Sequence, residues 1–388
     1  MSGWTWQAWI GLVGGTAIFF AVLGPILLVQ TRRYGQMSLP RVLGAAGVSI
    51  YAVALVAYTL LPLPDERANC ATAHGALELV PGHSIADVAR ETAGFSVLST
   101  LTSHAFLQVV LNVVLFVPFG AIARRYWSRG LGSSILLGAL VSVLIEATQY
   151  TGIWGLYECA YRVADVDDVI TNTLGAAVGA LIAPIVLSWM PSTRVLRASR
   201  DRARPITVWR RWFAMVLDAV AVQVSITVLS LVFVVPRVLL TGATGPDNDP
   251  TLPEVLSIGA GTVILVVVLP ALIGSGASLG QRLVWLQPEW PDGRGSVARR
   301  LYRASLVAVP YIATTSAGQL SGRAEGLTQT LSGAVALLSL IIVTTAVVSV
   351  PFTRQHRGLS FAVTGTGLRD ARSAAVQAGP PSRATHDA

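Results

Sequence analysis

The 388-residue chain is 53% hydrophobic and only 12% charged, with a mean hydropathy of +0.62 and a formal net charge of +8. A soluble domain cannot cover its surface with so little charge, so the composition excludes one and indicates an all-α polytopic membrane protein. All 28 basic residues are arginine, and they cluster between apolar runs rather than forming a basic domain, which sets nucleic acid aside as a partner and leaves membrane lipids.

Apolar runs near the roughly 20 residues needed to cross a bilayer occur in chain order at Trp6 to Val29, Val42 to Leu61, Ala105 to Ile122, Ser133 to Tyr150, Val169 to Trp189, Phe213 to Val235, Val255 to Ile273, Ala304 to Ala317 and Leu331 to Phe352. This gives nine expected spans, of which the eighth is short and contains Pro310. The first lacks a basic start and is followed by Arg32 and Arg33, so it reads as an anchor and not as a cleaved signal peptide. Counting arginines in alternate loops places 23 on one side and five on the other, namely Arg67, Arg90, Arg162, Arg237 and Arg323. The positive-inside bias then predicts an odd number of spans, with the N-terminus outside and the C-terminus in the cytoplasm of a bacterial plasma membrane.

Four segments follow: a five-helix domain over 1–190, an Arg/Pro-rich cytoplasmic linker over 191–205, a four-helix domain over 206–368, and a tail over 369–388 whose Ala, Ser, Pro and Gly content predicts disorder. No repeat relates the halves. Cys70 and Cys159 both fall in expected outer loops, where they either form a disulfide or stand unrelated. Pro246-Asp-Asn-Asp-Pro250 lacks the glycine and glutamate of a calcium loop and reads as turns.

Polar residues inside apolar spans need a reason, since a carboxylate at a helix centre costs about 2.5–3.5 kcal/mol on insertion scales. Glu146 and Gln149 lie three apart, on one face near the end of the fourth span. Asp165, Asp168 and Asn172 share a face at the start of the fifth, with Arg162 as the nearby cation and Gly175 and Gly179 following at the spacing that permits close helix approach. Asn112 in the third span offers an amide to a neighbouring helix, and Pro118 is expected to kink or end that span. Three readings are open. The acids serve the helix dipole and pair with Arg162; or the cluster is an outward-facing pocket for an amphipathic envelope molecule; or two carboxylates act as acid and base. A divalent cation is conceivable on oxygen ligands, but no spacing requires one, and no metal or cofactor is assigned.

The exit Leu61-Pro-Leu-Pro64, the segment NVVLFVPFG ending at Gly120, the Glu146/Gln149 pair and RVADVDDVITNTLGAAVG from Arg162 to Gly179 together resemble the VanZ-like family over roughly 40–190. The resemblance implies an integral membrane protein and an association with resistance to the lipoglycopeptide teicoplanin, without supplying a mechanism. In the second half, Arg211, Ala214 and Asp218 share a helix face and GASLGQRLVWL follows the seventh span. These features resemble the RDD family over about 205–367, in which an Arg, an Ala and an Asp open the first helix and Gly-x-Thr-x-Gly-Lys follows the second. Here Ser278 and Gln281 stand in for Thr and Lys, and Arg357 stands where the family tends to carry an acid. Arg211 and Asp218 are either a structural ion pair or a coupling pair for ions.

The leading expectation is a non-enzymatic envelope protein that binds or shields a lipid-linked cell-wall component, or a lipoglycopeptide, through Asn112, Glu146, Gln149, Arg162, Asp165, Asp168 and Asn172. An ion-coupled permease using Arg211 and Asp218, and a membrane enzyme acting on a lipid-linked substrate, are the alternatives.

Overall fold

The computed structural model describes residues 5–63, 77–93, 97–158, 160, 162–241, 251–318 and 327–373. Cys70, Cys159 and the Pro246–Pro250 segment lie outside the described residues. Among the described residues 76% are helical and the strands form two two-stranded ribbons, which makes the fold all-α. It separates into two compact units, Met1–Ser199 and Arg200–Ala388, and the break falls within the expected linker.

The first unit comprises α1 (Thr5–Tyr34), α2 (Leu39–Leu60), β1 (Leu77–Glu78), α3 (His83–Glu91), α4 (Val97–Leu101), α5 (His104–Ala121), α6 (Leu131–Tyr150), α7 (Gly152–Gly155), β2 (Ala164–Asp165), α8 (Val166–Val186) and α9 (Thr193–Ala198). Pro118 does not end α5. The helix runs through it and widens into a π-helical turn, Ile122–Tyr126, a known way of relieving a strained hydrogen-bond ladder. Small residues set the helix spacing. A β-carbon on Gly175 would stand 2.1 Å from the Val113 carbonyl oxygen, and one on Gly179 would stand 1.9 Å from that of Val117, so α8 lies directly on the α5 backbone. Beside this seam Leu55, Phe116, Phe119, Ala123 and Ala176 form the buried core. The lipid-ward faces are apolar and open, as at Leu181 and Ile185. Parallel pairing of Leu77 with Ala164 and Glu78 with Asp165 ties the loop after α2 to the start of α8.

The second unit comprises α10 (Val208–Thr241), α11 (Leu252–Val263), a π-helical stretch Ile264–Val268, α12 (Leu269–Leu272), α13 (Leu279–Leu283), β3 (Leu286–Glu289), α14 (Val297–Gly318), α15 (Leu327–Phe352), a 3-10 turn Arg354–His356, α16 (Leu359–Val363) and β4 (Gly367–Asp370). Its core is built from Val222, Ile226, Ile258, Val266, Val267 and Ile312.

Among the described residues eight helices are long and apolar enough to cross a membrane, where the sequence led us to expect about nine. The difference is α14. At 22 residues it has the length of a span, but Arg303, Pro310 and Thr314-Thr315-Ser316 dilute its apolar character. The C-terminal boundary also shifts. Residues 369 and 370, expected to begin a disordered tail, complete β4, where Leu286 pairs with Asp370 and Gln287 with Arg369. Asp370 and Arg372 are both buried. Composition could not show this, because the groups that hold Asp370 include Arg204 and Arg210, more than 150 positions earlier.

Candidate functional site

The C-terminal ends of α2 and α6 and the N-terminal ends of α5 and α8 meet at one end of the first unit, and the polar residues singled out from the sequence meet there with them. Asn112 on α5 donates its amide to Asp168 Oδ1 on α8 at 2.5 Å. Glu146 on α6 is buried, and its Oε2 accepts the Asp165 backbone N–H at 3.1 Å. Asn172, one turn below Asp168, donates to Ser142 Oγ on α6 at 2.9 Å, while its own Oδ1 is buried with no hydrogen-bond partner.

Other members of the cluster have structural partners. Asp165 is the N-cap of α8 and accepts the Asp167 N–H at 2.8 Å. Burial pushes the Asp165 carboxyl above its usual range, against the pull of the Asp167 N–H. Gln149 Nε2 donates to the Thr59 carbonyl at 2.7 Å, and Arg162 donates to the same carbonyl at 3.2 Å and to that of Leu61 at 3.3 Å. These bonds satisfy carbonyl groups that the end of α2 leaves without intrahelical donors. Among the described residues Arg162 makes no ion pair with an acid; in place of the pairing that one of the three readings held, it caps carbonyls. Of the named candidates, Asn112, Asp168, Glu146 and Asn172 thus bridge three helices, while Gln149 and Arg162 anchor the end of α2.

Three contributors were not selected from sequence. Asp167 is buried and spans the N–H groups of Gly82 and Ser84, 2.8 Å from each, clasping the start of α3 onto α8. Ser142 completes a face with Glu146 and Gln149 at i, i+4 and i+7, a spacing that could have revealed it. Thr59 contributes only its backbone carbonyl, for which a sequence carries no signal. Among the described residues no group of three or more His, Cys, Asp or Glu side chains is placed to hold a metal ion.

In the second unit the Arg, Ala and Asp at one helix face have distinct tasks. Asp218 accepts from Ser278 Oγ at 2.7 Å and from the Gly280 N–H at 2.6 Å. Ala214 is fully buried, and a β-carbon on Gly280 would stand 2.0 Å from its carbonyl oxygen, so α13 rests on the α10 backbone. Ser278 and Gln281 form a capping box, in which Gln281 Oε1 accepts the Ser278 N–H at 3.2 Å. Arg211 donates Nε to the Arg357 carbonyl at 3.2 Å. Neither an ion pair nor a hydrogen bond joins Arg211 to Asp218 among the described residues. The Arg357 side chain instead bonds the carbonyls of Arg354 and Thr366.

Eight helices among the described residues that are long and apolar enough to cross a membrane, in units packed through glycine seams, define an integral multi-pass membrane protein. Residues 48–187 match the VanZ/LLP1 family model and residues 205–360 match that of the RDD family. The chain therefore joins an N-terminal VanZ-like domain to a C-terminal RDD domain. No curated protein and no solved structure matches it.

Proposed function

We propose that the chain is a plasma-membrane protein, N-terminus outside and C-terminus in the cytoplasm, whose VanZ-like domain binds a cell-wall or lipid-linked envelope component and so lowers susceptibility to teicoplanin-type glycopeptides. The observation that supports this reading is the gathering of Glu146, Asp168, Asn112 and Asn172 at one end of a bundle with apolar flanks. Ionisable groups at such a depth are ordinarily kept for a ligand or a pathway. Acceptor capacity remains in two places. Asn172 Oδ1 is buried and unpartnered, and among the described residues Asp168 Oδ2 takes no hydrogen bond. These oxygens suit a ligand rich in hydroxyl and amide donors, as the sugar or peptide part of a lipid-linked precursor is. Gln149, Arg162, Asp165 and Asp167 hold the rim in place around them. A permease coupled through Arg211 and Asp218 is less well supported, because Asp218 is tied to Ser278 and Gly280 as an anchor for α13.

The test is complementation of a deletion strain with the wild-type gene, Asp168→Asn and Glu146→Gln, each matched for membrane abundance. Teicoplanin susceptibility is expected to rise on deletion, to return with the wild type and to stay raised with Asp168→Asn. An unchanged susceptibility in the deletion strain would sink the proposal.

A further inference from the structure

The second unit contains a half-open cavity of about 310 Å3 among α10, α12, α14 and α15. Most of its wall is apolar, formed by residues such as Val222, Val267, Ala308 and Val343, while one end carries Arg211, Arg303 and Asp218. The charges there do not balance. Asp218 has both oxygens engaged by Ser278 and Gly280. Arg211 and Arg303 are 2% and 3% exposed, so both guanidinium groups are largely withdrawn from solvent. Both pack over the ring of Phe361, with Cζ to centroid distances of 4.8 and 4.6 Å, and Phe361 is itself fully buried.

The donors of these arginines are only partly used. Arg211 sends Nε to the Arg357 carbonyl and Arg303 sends one Nη to the Gly276 carbonyl. Arg211 Nη1 and Arg303 Nε are buried without any hydrogen-bond partner. Two cations with idle donors beside one committed carboxylate leave a net positive charge in a place where an unpaired charge is expensive. The matching ligand is an anion able to receive the planar guanidinium donors, a carboxylate or phosphate. A free inorganic anion would meet that need and leave the apolar wall empty. The cavity lies at the small end of ligand sites, roughly 300–1,000 Å3, which suits one alkyl chain.

We propose that this cavity binds a single-chain anionic amphiphile, its carboxylate or phosphate head held by Arg211 and Arg303 and its alkyl chain lying along the Val222, Val267 and Ala308 wall. The site is separate from the polar cluster of the VanZ-like domain, and it stands or falls independently of the function proposed there.

The experiment uses the purified full-length chain in dodecyl maltoside, a neutral detergent, with radiolabelled decanoate as the probe in a proximity binding assay. Saturable binding is expected, with displacement by decyl phosphate. Decanol and inorganic phosphate should each compete about tenfold less well or worse, because each supplies only half of the recognition. Arg303→Gln should weaken decanoate binding about tenfold or more. Ala308→Phe keeps both arginines and fills the apolar wall, so it should also weaken decanoate binding, and it decides the matter if Arg303→Gln does not fold. The proposal is overturned by an absence of saturable binding, by decanol competing as well as decanoate, or by inorganic phosphate competing as well as decanoate. Wild-type affinity in a folded Arg303→Gln or Ala308→Phe variant would overturn it too.

Discussion

Asp370→Asn should be among the most damaging isosteric changes in the RDD domain. Asp370 is 3% exposed and accepts from Arg210 Nη2 at 2.8 Å, from the Arg204 N–H at 3.1 Å and from the backbone N–H and side chain of Arg372, with Nε at 2.8 Å and Nη2 at 2.6 Å. Burial alone would push this carboxyl up, but the hydrogen bonds from Arg372 and the charge of Arg210 outweigh it and bring it down to about 2 from an ordinary 3.8. At about 1.4 kcal/mol per pKa unit, that shift corresponds to roughly 2.5 kcal/mol of stabilisation near neutral pH. Breaking a buried ion pair from one side costs about 3–5 kcal/mol, because the partner charge is left uncompensated. The two routes bracket a loss of about 3 kcal/mol. Because the folded pKa is the lower one, this contribution is fully present above about pH 4 and is lost as pH falls toward 2. Hydrogen exchange of the β3–β4 ribbon in the detergent-solubilised protein reads the effect locally. The asparagine variant should exchange faster at neutral pH, and its deficit relative to wild type should shrink as the pH approaches 2. Protection within about 0.5 kcal/mol of wild type at pH 7 would refute the reasoning.

Two further outcomes are expected. Gly179→Val places a side chain where even a β-carbon lies 1.9 Å from the Val117 carbonyl oxygen, so α5 and α8 must separate. The loss should be about 3 kcal/mol or more, seen as a lower melting temperature of the purified protein, whereas Gly132→Val, with open space around it, should leave that temperature within a degree or two. For the orientation, Cys70 and Cys159 should react with a membrane-impermeant maleimide from outside intact cells, after mild reduction if they are paired. Labelling of either one only from the cytoplasmic face would reverse the topology.

The sequence by itself determined the class and the partition of this protein. Apolar runs of span length dictate helices in lipid, because only internal hydrogen bonding satisfies a backbone there. The Pro/Arg stretch at 191–205 contains the break between the units, and the Gly175/Gly179 spacing announced a close helix approach without naming α5 as the partner. The polar face of the VanZ-like domain was also legible in part, since Glu146, Asp165, Asp168 and Asn172 announce themselves by charge or amide among apolar residues.

Which atoms those groups engage was decided only by the tertiary structure. Arg162 looks like the natural partner of the acids beside it in sequence, yet it caps carbonyls of Thr59 and Leu61 about a hundred positions away. Asp167, which the sequence did not single out, holds α3. Asp218 serves Ser278 and Gly280, which leaves Arg211 beside Arg303 and Phe361, residues that no local pattern connects. The physical reason is common to all of these. Periodicity and composition register how a residue relates to lipid, water and its neighbours within a turn or two. A buried hydrogen bond is a matter of a few tenths of an ångström between groups far apart in the chain, and only packing brings their positions together.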